Sequence, residues 1–222
     1  MSAPLHENLW ERNRDIADAC RKHRFATEVA EGTLKEQIFR RYIAQDAFFL
    51  DSFVRAYALA VAHCRSFEDV QAFHSLLGGV IEEKKLHQDY AEKLGVSLPE
   101  MVPNWACRAY TDFLLRTAWN SGIDEILAAM TPCMKLYSYL GSYLARNGLP
   151  DHCYQDWIRT YSSEEFSELT RKIEGLLDHH ATDSQPVRDV YRYAMVCELN
   201  FFSAVFEEPE GVYPKNLVAV DF

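Results

Sequence analysis

No run of about 18 apolar residues occurs in the 222-residue chain, so no helix is expected to cross a membrane. The N-terminal stretch MSAPLHENLWERNRD has no apolar h-region, so a signal peptide is not expected. Six cysteines are scattered as Cys20, Cys64, Cys107, Cys133, Cys153 and Cys197, without a CxxC pair. That spacing argues against a zinc ribbon or a dithiol redox motif, and leaves a reduced, cytoplasmic setting as the expectation. A Gly-rich phosphate loop, a GxSxG elbow and an HExxH helix are all missing. Lys and Arg form no cluster, and the net charge is −10, so phosphate backbones and anionic membrane surfaces would be repelled. Neither nucleic acid nor a membrane is expected as a partner.

What remains is an ordinary globular composition, 48% hydrophobic and 25% charged, long enough for a substantial core. No alternating strand pattern, internal repeat or domain boundary competes with helical periodicity. The expectation is an all-α, single-domain bundle of about eight helices. Helices are predicted over Leu5–His23, Leu34 to about His63, Ser66 to Gly95, Trp105–Asn120, 122–147, 151–160, Ser162–His179 and Asp183–Phe206. Thr33 with Glu36 reads as a capping box, and Ser66, Asp69 and Asn104 as further N-terminal signals. Ser97–Pro103, with two prolines, reads as a loop, and about 207–222 as an extended C-terminal arm.

Several polar groups interrupt apolar helix faces. Cys133 follows Pro132 within GIDEILAAMTPCMKLYSYLGSYLARNG, where proline should interrupt the hydrogen-bond ladder and crowd the Ala128 carbonyl. The thiol there is either a buried structural cysteine or a placed nucleophile, with Tyr137 one turn further on the same face. Asp46, three residues before Phe49, is either a solvated acid at the edge of the stripe or a buried one holding a flat, nitrogen-bearing ring. Glu198 lies in YAMVCELNFFSAVF, the most apolar segment. Desolvation there favours the protonated acid of an acid/base catalyst, and a structural Glu bonded to a buried Tyr or to backbone is the alternative. Tyr110 and Tyr161 can donate hydrogen bonds, stack, or simply fill the core. Glu83 and His87, at i and i+4, could ligate a metal, but a di-metal site needs inward carboxylates or histidines elsewhere. Glu164, Glu165 and Glu168 look like a charged outer face, so no metal is expected.

The segments YIAQDAFFL, EEKKLHQDYAEKLG, AYTDFL, ILAAMTPCMKLYSYLG, WIRTYSSEEF and CELNFFSAVF, in this order, resemble the TenA or thiaminase II family from Leu5 to about Phe206. The resemblance implies a haem-oxygenase-like all-α fold and a homotetramer. It also implies a cofactor-free hydrolase that converts 4-amino-5-aminomethyl-2-methylpyrimidine, and in many members thiamin, to the hydroxymethylpyrimidine. By motif it makes Cys133 the nucleophile and Glu198 the carboxylate that manages the leaving-group proton. Asp46 would hydrogen-bond the aminopyrimidine nitrogens, Tyr110 and Tyr161 would contact the ring or support the cysteine, and Tyr137 and Phe201 would complete the pocket. Phe49 stands where many members have tyrosine, which keeps a stacking surface and removes a hydroxyl. Glu83 and His87 would then be a structural buried pair. Two other readings attach to the same resemblance: a metal-dependent oxygenase of the same fold, and a non-catalytic pyrimidine-binding regulator.

Overall fold

The computed structural model describes residues 3–95 and 102–207. The described residues form ten helices and no strand: α1 Leu5–Arg12, α2 Arg14–Lys22, α3 Arg24–Glu31, α4 Glu36–His63, α5 Phe67–Leu94, α6 Trp105–Asn120, α7 Ile123–Ala145, α8 Gln155–Tyr161, α9 Glu164–His180 and α10 Gln185–Ala204. The fold is all-α as expected. Most of the Ser97–Pro103 loop and of the 207–222 arm falls outside the described residues.

The long helices follow from apolar stripes at helical spacing. In α4 the buried positions include Phe39, Tyr42, Ile43, Asp46, Phe49, Leu50, Phe53, Ala56, Tyr57 and Ala60. α10 repeats the pattern with Val187, Tyr191, Ala194, Met195, Glu198, Phe201 and Phe202. Their starts are capped by side chains that accept the orphan N–H groups of the first turn. Ser66 accepts from Asp69 N at 3.0 Å and Asn104 from Cys107 N at 2.8 Å. Ser163, one residue after the expected start of α9, accepts from Phe166 N, and Ser184 from Val187 N.

Two expectations about local structure are corrected. The single helix over Leu5–His23 is two, broken at Asn13, whose side-chain amide donates to the Leu9 carbonyl at 2.8 Å and closes α1. The capping box at Thr33 does not form, and α4 begins after Lys35 without a side-chain cap. Thr33 N and Leu34 N instead bond back to the Glu28 carbonyl at 2.9 and 3.1 Å, where Gly32 adopts a left-handed turn (φ 70°) that ends the unforeseen α3. The expected helix over 122–147 forms, and α7 runs through Pro132 as one helix. Proline removes a single bond of the ladder, a cost of about 3 kcal/mol. Leu127, Ala128, Met130, Met134 and Leu136, all buried around it, offset that cost by packing.

Helix α4 packs along α5 and against α6, α7 lies between α10 and α9, and α8 crosses α7. The centre is strongly aromatic, with Trp157, Tyr42, Tyr57, Tyr110, Tyr161 and Tyr191 fully enclosed. Tyrosine hydroxyls placed that deep need partners, and most of those partners belong to one polar cluster.

Candidate active site

The cluster is assembled from six helices, each contributing at a core-facing position of its stripe. Asp46 and Phe49 come from α4, Glu83 and His87 from α5, Tyr110 from α6, Cys133 and Tyr137 from α7, Tyr161 from α8, and Glu198 and Phe201 from α10. All eight residues singled out by the family resemblance lie in it, in two contact groups bridged by Tyr42. Glu198 is 2% exposed and accepts a hydrogen bond from the Tyr110 hydroxyl at 2.8 Å. The Cys133 thiol lies near the same carboxyl, and each group shifts the protonation of the other. Phe49 stands 4.7 Å from the Tyr110 ring and 6.1 Å from Phe201, and Tyr137 stands 4.7 Å from Tyr161. Cys133 keeps part of its surface open, whereas Cys20, Cys107 and Cys197 are buried.

Asp46 is the buried, paired alternative rather than the solvated one. Its Oδ2 lies 2.6 Å from His87 Nε2, with the two side chains 6% and 1% exposed. Neither atom has an aligned hydrogen-bond partner, so the attraction is chiefly charge on charge. His87 Nδ1 donates to the Glu83 carbonyl at 2.9 Å, which leaves Nε2 for Asp46. The hydrogen bond between Glu83 and His87 thus runs through backbone, while their side chains interact by charge. The Glu83 carboxyl turns inward and accepts from the Tyr161 hydroxyl at 2.5 Å. Tyr110 and Tyr161 therefore commit their protons to two carboxylates, and neither donates to the cysteine in this state. Glu164, Glu165 and Glu168 are exposed on the outer side of α9, as expected.

Too few cations are present to balance these acids, and their protonation shifts accordingly. Burial drives Glu198 up to about 8, opposed by the Tyr110 hydrogen bond and the nearby Cys133 and reinforced by the nearby Asp46 and Glu83 charges. Burial also lifts Glu83 to about 7, with the Asp46 charge adding to it. For His87, burial alone would depress the imidazolium, but Asp46 and Glu83 overrule it and raise it to about 9. Burial, then the charges of Glu198, Glu83 and Asp46, hold the Cys133 thiol well above its ordinary value. The resting site near neutral pH thus contains a protonated His87 beside Asp46, a protonated thiol and a largely protonated Glu198. An acid able to give or take a proton near pH 8 stands beside the thiol of a partly exposed cysteine, an arrangement suited to nucleophilic catalysis with a shared proton.

Comparison with known proteins shows the family. The model of the TENA/THI-4/PQQC family matches residues 10–207. The chain belongs to that family. An aminopyrimidine aminohydrolase of Halalkalibacterium halodurans is 31% identical over 78% of this chain and 80% of its own length. The bifunctional TH2 protein of Arabidopsis thaliana is 34% identical over 81% of this chain, which spans only 34% of that longer protein. Among solved structures, a TenA homologue from Pyrococcus furiosus superposes with a TM-score of 0.84 at 25% identity, covering 90% of this chain and 98% of that one. Haem oxygenase-1 of Synechocystis, at 14% identity and a TM-score of 0.65 over 92% of this chain and 93% of that one, shares the fold alone.

Three residues around the cluster, Tyr42, Trp157 and Gln45, were not singled out by sequence, the first two being aromatic. Tyr42, fully buried on α4, accepts a hydrogen bond from the Trp157 indole at 3.1 Å and reaches the Tyr137 hydroxyl at 3.3 Å. Their signal was present only as aromatic residues in stripe positions, indistinguishable from ordinary core. Gln45, beside Asp46, accepts from Asn104 N at 2.8 Å and donates to the Val102 carbonyl at 3.1 Å, tying the start of α6 to α4.

Proposed function

We propose that this TENA/THI-4/PQQC-family protein is a hydrolase acting on 4-amino-5-aminomethyl-2-methylpyrimidine, with thiamin as a second substrate, through Cys133 and Glu198. The observation that carries the reading is the row Tyr110–Glu198–Cys133, in which one carboxyl, pushed up to about 8, accepts from a phenol and stands beside the thiol of a partly exposed cysteine. As sulfur attacks the electron-poor ring, the thiol proton passes to the Glu198 carboxylate. The adduct expels the amine from the 5-methylene together with the electron pair of that C–N bond, and Glu198 returns the proton to it, releasing ammonia. Water then adds to the exocyclic methylene while Glu198 accepts its proton. The ring electrons restore aromaticity by expelling sulfur, which regains its proton and leaves the hydroxymethylpyrimidine.

Asp46 accepts from the amino group of the ring, its charge held in place by His87. Phe49 and Phe201 offer apolar ring faces to the pyrimidine. No step calls on a metal or organic cofactor. The family resemblance extends the reading to a cytoplasmic homotetramer, which sedimentation of the purified protein checks. The decisive assay follows ammonia release from the aminomethylpyrimidine beside thiazole release from thiamin. Stoichiometric ammonia and hydroxymethylpyrimidine are expected, and a purified protein that releases neither ammonia nor thiazole would refute the assignment.

A further inference from the structure

Of Tyr110, Tyr161 and Tyr137, only Tyr137 has a proton left for a ligand; the buried Tyr57 hydroxyl, which also senses Cys133, has no hydrogen-bond partner and takes no part in the relay. Tyr110 donates to Glu198 and Tyr161 to Glu83. Tyr137 differs because of what lies behind it. The Trp157 indole N–H can only donate, and it points into the Tyr42 oxygen at 3.1 Å. A phenol has a single proton, and burial keeps that of Tyr42 in place well beyond the ordinary tyrosine range. With its oxygen accepting from Trp157, Tyr42 directs that proton to the Tyr137 oxygen, 3.3 Å away. Tyr137 is thereby an acceptor on its core side. Its own proton must point elsewhere, and among the described residues no side chain or carbonyl accepts it. After burial and Tyr42, the charges it senses are those of Asp46, Glu198 and Tyr161, the first two being the groups that face the substrate in the proposed reaction.

We propose that Trp157 and Tyr42 are positioning residues that preset the Tyr137 hydroxyl as a one-way hydrogen-bond donor to a ring nitrogen of the bound pyrimidine. The direction of the relay is fixed by the indole, which cannot reverse. Asp46, an acceptor, and Tyr137, a donor, together present the complement of an amino group next to a ring nitrogen. A ring in which that nitrogen is replaced by C–H leaves the Tyr137 proton unpaired, so the relay also selects against carbocyclic analogues. This inference rests on the aminopyrimidine reading for its ligand half only.

The test is a double-mutant cycle on the full-length protein, with hydroxymethylpyrimidine as the binding probe and the aminomethylpyrimidine as substrate. Tyr42→Phe removes one oxygen and is expected to raise KM about fivefold with kcat nearly unchanged, because the bond to the ring is made before and during reaction. Tyr137→Phe is expected to raise it about tenfold, and Tyr42→Phe should add nothing on top of it. Independent, additive losses would overturn the relay, as would equal falls in kcat that mark general disruption. In the ligand-free protein, the Trp157 indole N–H should lose its slow exchange and shift in the nitrogen–proton spectrum of Tyr42→Phe. An unmoved indole signal overturns the relay whatever the substrate. Should Tyr42→Phe not fold, Trp157→Phe enters the same cycle and should likewise add nothing to Tyr137→Phe. If the wild-type protein binds no hydroxymethylpyrimidine, the ligand half and the functional reading fall together, while the indole signal still decides the relay.

Discussion

Tyr110 donates to Glu198 Oε1 at 2.8 Å, and this bond opposes the burial that drives the same carboxyl up to about 8. One phenol therefore tunes the group that shares a proton with Cys133. The reactive form of the Glu198–Cys133 pair holds one proton between carboxyl and thiol, and a second proton blocks the attack. The rate with substrate below KM should rise with pH until the pair sheds that second proton, near pH 8, and then level off. Tyr110→Phe removes the bond that favours the carboxylate, so this acid limb should move to higher pH. A pH–rate profile of kcat/KM for both proteins measures it, and a limb that stays in place or moves down would show that Tyr110 does not tune Glu198.

Cys133→Ser should keep the fold, since the two side chains differ by one atom and the position is only partly covered. Hydroxyl is a far poorer nucleophile and leaving group here than thiol, and activity should fall at least about a hundredfold. Glu198→Gln keeps the shape and loses the mobile proton. Pyrimidine binding should survive while turnover falls by about 10²–10⁴-fold, the usual range for an acid/base group. Turnover at the wild-type rate in either variant would remove that residue from the mechanism. Calorimetric titration with the product separates lost binding from lost chemistry.

Sequence periodicity made α4, α7 and α10 legible because their stripes are long and regular, and it made the site legible for the same reason. Asp46, Cys133 and Glu198 are polar or reactive groups at positions that the stripe reserves for core. A carboxylate there is conspicuous. A tyrosine or tryptophan is not, so Tyr42 and Trp157 passed as packing, although their polar atoms form the relay behind Tyr137. Partner choice was equally hidden. The Glu83 carboxyl sits one turn before His87, yet it meets Tyr161 across helices, and no local spacing encodes that crossing. The failures at Thr33 and in Leu5–His23 are of another kind, because two plausible local hydrogen-bond patterns competed. Backbone closure around Gly32 and Asn13 won over the cap and the continuous helix.

The buried acids also set how stability varies with pH. Glu83 and Glu198 rise from an ordinary 4.5 to about 7 and about 8 on folding, so the folded protein holds these protons more tightly than the unfolded chain. That stabilisation is complete below about 4.5 and fades as pH climbs through 7 and 8. His87, lifted from 6.5 to about 9, behaves alike: its contribution is full below 6.5 and lost as pH passes 9. All three shifts carry the same sign, and Tm should fall between pH 5 and 9 while catalysis rises. Scanning calorimetry across this range checks it. A Tm that climbs steadily from pH 5 to 9 would mean that these groups are not buried as described.

Gly141 on α7 lies against the end of α8, where Tyr161 begins its reach toward Glu83. A Cβ at position 141 would come within 2.3 Å of the Tyr161 carbonyl carbon, 2.4 Å of its oxygen and 2.7 Å of Ser162 N. These are backbone atoms, which cannot swing aside as a flexible side chain would. The close approach of the two helices therefore depends on hydrogen at this position, two turns along α7 from Cys133. Gly141→Ala should push α8 outward and destabilise the protein by about 1–3 kcal/mol, as overpacking in a core does. The displacement acts first on Tyr161, whose ring packs 4.7 Å from both Tyr137 and Trp157. Activity should consequently drop by more than the small loss of folded protein explains, with the deficit in kcat/KM persisting at temperatures well below Tm. Chemical denaturation gives the stability and steady-state kinetics at low temperature gives the activity. A variant as stable and as active as the wild type would show that α7 and α8 are not packed as tightly as the Gly141–Tyr161 contact requires.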